Sequence, residues 1–175
     1  EWAMLASAIK HIAEQPALRD KKGLVHTGSF KVARALQAHL YPDRFVVHTE
    51  SGGIREALLE AFTTSAAPMV LVTPSFTTGL DYSGIGWQVI AKVPFGDLGN
   101  PIVRARHGYE LPDDARFGRR VYDDDAINTV VQAAGRAVRG PEDQGVTYIL
   151  DTNFWPLYKR AHSPEFFKQA VRWLK

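Results

Sequence analysis

At 175 residues the chain is long enough for one domain with a sizeable core. With 45% hydrophobic and 23% charged residues the composition is that of a globular protein, and a net charge of only +2 excludes an overall basic field for nucleic acid. No run reaches the roughly 20 apolar residues of a membrane span, and the lack of cysteine excludes disulfides, thiol chemistry and cysteine-ligated metal in this segment.

The absence of cysteine and of a signal-peptide pattern fits a cytoplasmic chain with no membrane partner. The opening Glu1-Trp2-Ala3-Met4-Leu5 starts inside an apolar pattern, which leads us to expect one domain, spanning residues 1–175, of a longer polypeptide.

In chain order, Leu5, Ile9, Ile12 and Ala13 recur at helical spacing over Trp2 to Glu14, and Pro16 ends the pattern. Leu24-Val25-His26 is a short strand followed by Thr27-Gly28-Ser29-Phe30. A helix with Val32, Leu36 and Leu40 on one face runs toward Pro42. Phe45-Val46-Val47 is a second strand ending at His48-Thr49-Glu50. Ile54, Leu58, Ala61 and Phe62 mark a third helix. Met69 to Val72 is a third strand that leads into a Thr-rich loop from Thr73 to Asp81, and Gln88 to Val93 is a fourth. A polar stretch from Gly96 to Arg120 precedes Asp123-Asp124-Asp125, which suit the positive end of a helix dipole and are expected to open the next helix. Val146 to Leu150 is a fifth strand. Ser163-Pro164 is expected to cap a last helix through Leu174. Short, wholly apolar strands separated by helices imply a parallel sheet covered on both faces. Ligands collect at the carboxyl ends of such strands, where the polar loops here lie.

The most informative stretch is Gln132-Ala-Ala-Gly-Arg-Ala-Val-Arg-Gly140. On a helix stepped at roughly 100° per residue, Ile127, Val130, Val131, Ala134 and Val138 form an apolar arc, while Gln132, Gly135, Arg136 and Arg139 form a second, cationic face. Gly135 in a helix interior costs about 1 kcal/mol against Ala, and close approach of a backbone or ligand is one reason to accept that. The alternative is a solvated face with incidental arginines.

Thr73 to Asp81 offers Thr73, Ser75, Thr77 and Thr78 before Gly79, hydroxyls that suit phosphate oxygens. It reads equally as a Thr-rich loop with a glycine turn. Thr27-Gly28-Ser29-Phe30 opens a helix, where anions are favoured, and Phe30 could stack on a base; an N-capping Ser29 with a core Phe30 is the plainer alternative. The six histidines show no metal-ligand spacing. There is no G-x-x-x-x-G-K-[ST], no G-x-G-x-x-G after the first strand and no G-x-S-x-G. The chain reads as the half of a nucleotide site that supplies arginines in trans.

From about Gly23 to Leu174 the sequence resembles the second RecA-like motor domain of superfamily-two helicases, in the XPD/DinG-like branch. Gly23-Leu-Val-His-Thr-Gly-Ser-Phe30 resembles motif IV, and Thr49 with Arg55-Glu-Ala-Leu-Leu-Glu-Ala-Phe62 resembles the strand and helix that follow. Val72-Thr73 through Gly79-Leu80-Asp81 resembles motif V, and Gln132 to Gly140 is similar to motif VI. Many relatives carry an acidic residue before the motif V glycine, where this chain has Thr78.

The resemblance implies a three-layer α/β/α fold with a mainly parallel sheet, the P-loop NTPase fold without its own P-loop. It implies that Arg136 and Arg139 reach ATP bound by the first motor domain of the same polypeptide, with Gln132, Gly79 and Asp81 on the nucleotide side. Thr27, Ser29, Phe30, Thr49 and Thr73 would hold single-stranded DNA during 5′→3′ translocation. ATP and Mg²⁺ would be bound mostly by that first domain, which is also where the family's iron–sulfur cysteines lie. In isolation this chain would be inactive, with its arginines solvent-facing and idle. Two other readings stay open: a non-motor RecA-like module that binds nucleic acid or protein, and an enzyme with its own nucleotide site.

Overall fold

The structure, a computed structural model, describes residues 1–49, 54–74, 84–107, 115–137 and 145–174. These fall into two compact units, Glu1–Lys92 with Ala134–Asp151, and Val93–Ala133 with Thr152–Lys175.

The first unit holds a five-stranded sheet. Its strands are β1 (Lys22–His26), β2 (Phe45–Val47), β3 (Val70–Thr73), β4 (Ile85–Ile90) and β5 (Val146–Ile149), in the order β2-β3-β1-β4-β5. Every pairing is parallel, with Leu24 opposite Leu71 and Val25 opposite Val89. All five expected strands are present. β4 sits three residues earlier than the apolar pattern suggested, because Ala91 and Val93 are buried beyond the end of the strand.

Alternate residues of a strand face opposite ways, and here both sets are apolar. Val25, Val70, Val72, Trp87 and Val89 pack with α1 (Trp2–Ala13) and α2 (Phe30–Gln37). Leu24 and Leu71 pack with Phe62 of α3 (Ile54–Thr64). The sheet is thus the middle layer of three, which is why its strands read as continuous apolar runs.

The second unit is helical. It contains α4 (Pro101–Arg106), α6 (Phe154–Arg160), α7 (Glu165–Ala170) and most of α5 (Ala115–Ala134). Asp123-Asp124-Asp125 do not open a helix; they lie more than two turns inside α5. Each carboxylate is paired with a side chain or backbone group distant in sequence instead of with a helix dipole. Asp123 takes two hydrogen bonds from Arg160, at 2.8 and 3.1 Å. Asp124 accepts from the His162 backbone N–H at 2.8 Å. Asp125 lies 3.1 Å from His107 Nε2 and 3.5 Å from Arg106.

The expected helix from Ser163 to Leu174 is also corrected. α7 ends at Ala170, Pro164 occupies the N-cap, and the Ser163 hydroxyl is buried without capping anything. α6 was not among the expected elements. Pro156 is the third residue of that helix, where a backbone N–H has no intrahelical partner to lose. No helix among the described residues is long and apolar enough to cross a membrane.

Candidate functional site

All five strands point the same way, so their carboxyl ends share one edge of the sheet. β1, β2 and β3 carry the residues expected to hold nucleic acid there, and beyond β4 and β5 Lys92 lies 4.0 Å from the buried Asp151. β1 ends at His26 and passes into Thr27-Gly28-Ser29, where Gly28 adopts φ 74°, a conformation other residues resist. The turn lets Ser29 cap α2, its hydroxyl accepting from Val32 N–H at 3.3 Å. The N-capping alternative for Ser29 therefore holds, and the residue remains exposed.

Thr27 is fully buried. Its N–H donates to the Thr73 carbonyl at 2.9 Å and its hydroxyl donates to the Ser29 carbonyl at 3.1 Å. Thr73 is buried as well, and its hydroxyl lies 3.1 Å from His48 Nδ1. His48 follows β2, and its backbone N–H donates to Val72 at 2.8 Å. The half-buried Phe30 meets the His48 ring edge-on, with centroids 5.2 Å apart. His48 Nε2 is buried and finds no hydrogen-bond partner among the described residues. Thr49 is half-buried, and its carbonyl accepts from Arg34 at 3.0 Å.

The structure thus brings Phe30 and Thr73 to His48, with Thr27 tied to the Thr73 backbone and Ser29 at the surface nearby in sequence. The hydroxyls of Thr27 and Thr73 are turned inward and committed to the fold. Gly79, Asp81 and Arg139 lie outside the described residues.

The second group sits at the end of α5. Of the expected apolar arc Ile127 and Val130 are buried and Val131 and Ala134 half-buried, while Gln132 on the other face is exposed. Gly135 is not in a helix interior, however. The α-helix ends at Ala134, and Gly135–Ala137 form a 3-10 turn. Arg136 rides on that turn, half-buried and engaged with another group of the chain, rather than solvent-facing and idle. A Cβ on Gly135 would meet nothing within 4 Å.

Three residues that the sequence did not single out for a role hold this turn to the sheet. Gln88, fully buried in β4, donates from its amide nitrogen to the Ala134 carbonyl at 2.9 Å and to the Thr147 hydroxyl at 2.8 Å. Its amide oxygen lies 3.2 Å from His26 Nε2, so that nitrogen of the buried imidazole is the donor. The available signal was an amide in the otherwise apolar strand Trp87-Gln88-Val89-Ile90.

The helicase C-terminal domain family matches residues 16–169. The ATP-dependent DNA helicase YoaA of Escherichia coli (strain K12) is 32% identical over 100 residues, covering 54% of this chain and 15% of that protein. The 3'-5' exonuclease DinG of Staphylococcus haemolyticus (strain JCSC1435) is 28% identical over 154 residues, covering 84% of this chain and 17% of the relative. The chain therefore spans about a sixth of the length of these relatives. Among solved structures, S. tokodaii Xpd4 superposes with a TM-score of 0.65 at 17% identity, over 93% of this chain and 34% of that one. The C-terminal part of the Fun30 ATPase domain gives 0.58 at 14% identity, over 100% and 52%. At these identities the superpositions establish the RecA-like fold, and the parallel order of the sheet agrees with it. The chain belongs to the helicase C-terminal domain family.

Proposed function

We propose that this chain is the second motor domain of an ATP-dependent DNA helicase. The observation that carries the reading is the family match over residues 16–169, which includes the Gln132 to Gly140 stretch, in a sequence with no phosphate-gripping loop of its own. Such a domain completes a site built by another one.

ATP, held mainly by the first motor domain, supplies the phosphoryl group, whose oxygens gather negative charge during transfer. Arg136 and Arg139 set guanidinium groups against that charge, a contribution of roughly 10³ to 10⁵ in rate for an arginine finger. Arg136 fits the task because it stands on a short turn fixed to the sheet. Gln132, Gly79 and Asp81 line the nucleotide side. The described residues contain no group of three His, Cys, Asp or Glu that would seat a metal, and the Mg²⁺ ligands belong to the first domain in this reading.

Single-stranded DNA runs along the carboxyl edge of β1 to β3. The exposed Ser29, the Gly28 backbone, Phe30 and Thr49 meet the strand. Thr27 and Thr73, buried beneath them, hold the loops in shape.

The test uses two proteins. Residues 1–175 alone should hydrolyse no ATP with or without single-stranded DNA. In the full-length protein, Arg136→Ala should collapse DNA-stimulated ATP hydrolysis while DNA binding persists. ATP hydrolysis by the isolated chain would favour an enzyme with its own nucleotide site. Loss of DNA binding with intact hydrolysis would favour a non-motor binding module.

A further inference from the structure

We infer that Gln88 is a positioning residue for Arg136, with Gly145 as the opposing stop; the inference rests on the reading of Arg136 given above. A fully buried amide in the middle of a parallel sheet is costly unless its hydrogen bonds are made. Here both amide hydrogens and the oxygen are used: Ala134 carbonyl at 2.9 Å, Thr147 hydroxyl at 2.8 Å, His26 Nε2 at 3.2 Å. The amide can satisfy this set in only one orientation. An inverted amide would turn its oxygen toward the Ala134 carbonyl, acceptor against acceptor.

Ala134 is the last residue of α5, and the final carbonyls of a helix have no partner within it. Gln88 supplies one from the sheet. That bond fixes the point at which the helix gives way to the 3-10 turn, two residues before Arg136. On the other side of Arg136 stands Ala137, itself buried. A Cβ built on Gly145 would overlap the Ala137 backbone and side chain, so the lead-in to β5 closes on the turn at a distance only glycine permits. Arg136 is held between two fixed neighbours, a polar tie before it and a packed backbone after it. Gln88 touches neither nucleotide nor nucleic acid in this reading; it acts through the turn.

The experiment is a double-mutant cycle in the full-length protein, read by single-turnover ATP hydrolysis with saturating single-stranded DNA, with steady-state KM for ATP and Kd for DNA measured alongside. Gln88→Met keeps the volume and removes the bonds. It should slow hydrolysis roughly tenfold to a hundredfold, the scale of a misplaced catalytic group, with KM for ATP and DNA affinity little changed. In the Arg136→Ala background the same substitution should add nothing, because residues acting as one unit are non-additive. Gly145→Ala, which leaves the amide in place, should reproduce the pattern, and it decides the matter if Gln88→Met fails to fold.

Equal slowing by Gln88→Met with and without Arg136 overturns the inference. So does a lowered melting temperature with unchanged turnover. If Arg136→Ala itself leaves turnover intact, the reading of Arg136 falls and the positioning role with it. If Arg136→Ala collapses turnover and neither Gln88→Met nor Gly145→Ala changes it, only the positioning role falls.

Discussion

The indole of Trp87 lies directly over the backbone of Gly23, its partner across the β1–β4 pairing. A Cβ on Gly23 would overlap the benzene ring of that indole. Trp87 belongs to the core layer under α1 and α2, where it is completely buried. Gly23→Ala should therefore destabilise the chain by about 1–3 kcal/mol through overpacking, seen as a lower urea midpoint. Adding Trp87→Phe, which shortens the ring system, should recover part of the loss. An unchanged midpoint for Gly23→Ala would mean the indole moves aside freely.

Arg160 and Asp123 form a two-point ion pair whose carboxylate is buried while the guanidinium is partly exposed. The hydrogen bond to Asp123 holds the arginine in its charged form more firmly than usual. Arg160→Met strands the carboxylate and should cost about 1–3 kcal/mol. Arg160→Lys keeps the charge but not the fork and should fall between. Equilibrium urea unfolding at neutral pH measures both, and equal stability of wild type and Arg160→Met would refute the role.

Tyr41 carries a pH signature. Burial, reinforced by the hydrogen bond from its hydroxyl to Glu14 at 2.8 Å, raises the phenol above its ordinary value. The folded chain thus holds the proton more tightly than the unfolded chain. The resulting stability is present below the unfolded phenol value of about 10 and is lost as pH rises through the higher folded value. Urea midpoints should fall more steeply above about pH 10 for wild type than for Tyr41→Phe. Parallel curves would show that the tie to α1 contributes nothing.

Gly135 separates the needs of the chain from those of its use. Its φ is not in the left-handed region, and a Cβ there would stand in open space. Gly135→Ala should leave the stability of residues 1–175 unchanged within about 0.5 kcal/mol. In the full-length protein it should lower ATP turnover, if a nucleotide or another domain approaches that backbone closely. Normal turnover would show that the position tolerates a side chain throughout the cycle.

The fold was legible because burial on both faces writes itself into short segments. Leu24 and Val25 are adjacent, face opposite layers, and are both apolar. Helix boundaries were less legible where long-range pairing replaced a local rule. The Asp123 to Asp125 run obeys a dipole rule on paper, yet its partners include Arg160 and His162, some forty residues away. Of the candidate site, the glutamine–arginine stretch was readable from residue order. The place of Thr27 and Thr73 was not, because whether a hydroxyl at a strand end faces out or in depends on neighbours such as His48 that arrive from another strand. The role of Gln88 was hidden for the same reason, although an amide in an apolar strand marked the position, since its partners come from β1, β5 and the end of α5.

The three carboxylates of α5 leave a last consequence. Consecutive helical residues point about 100° apart, so ties at Asp123, Asp124 and Asp125 pull on the helix from three directions. A rod tethered this way behaves as a keyed shaft and cannot roll about its own axis without breaking a tie. Gln132 stands seven residues beyond Asp125, about two turns along the same side of the rod. The heading of Gln132 is therefore set by anchors two turns upstream of it.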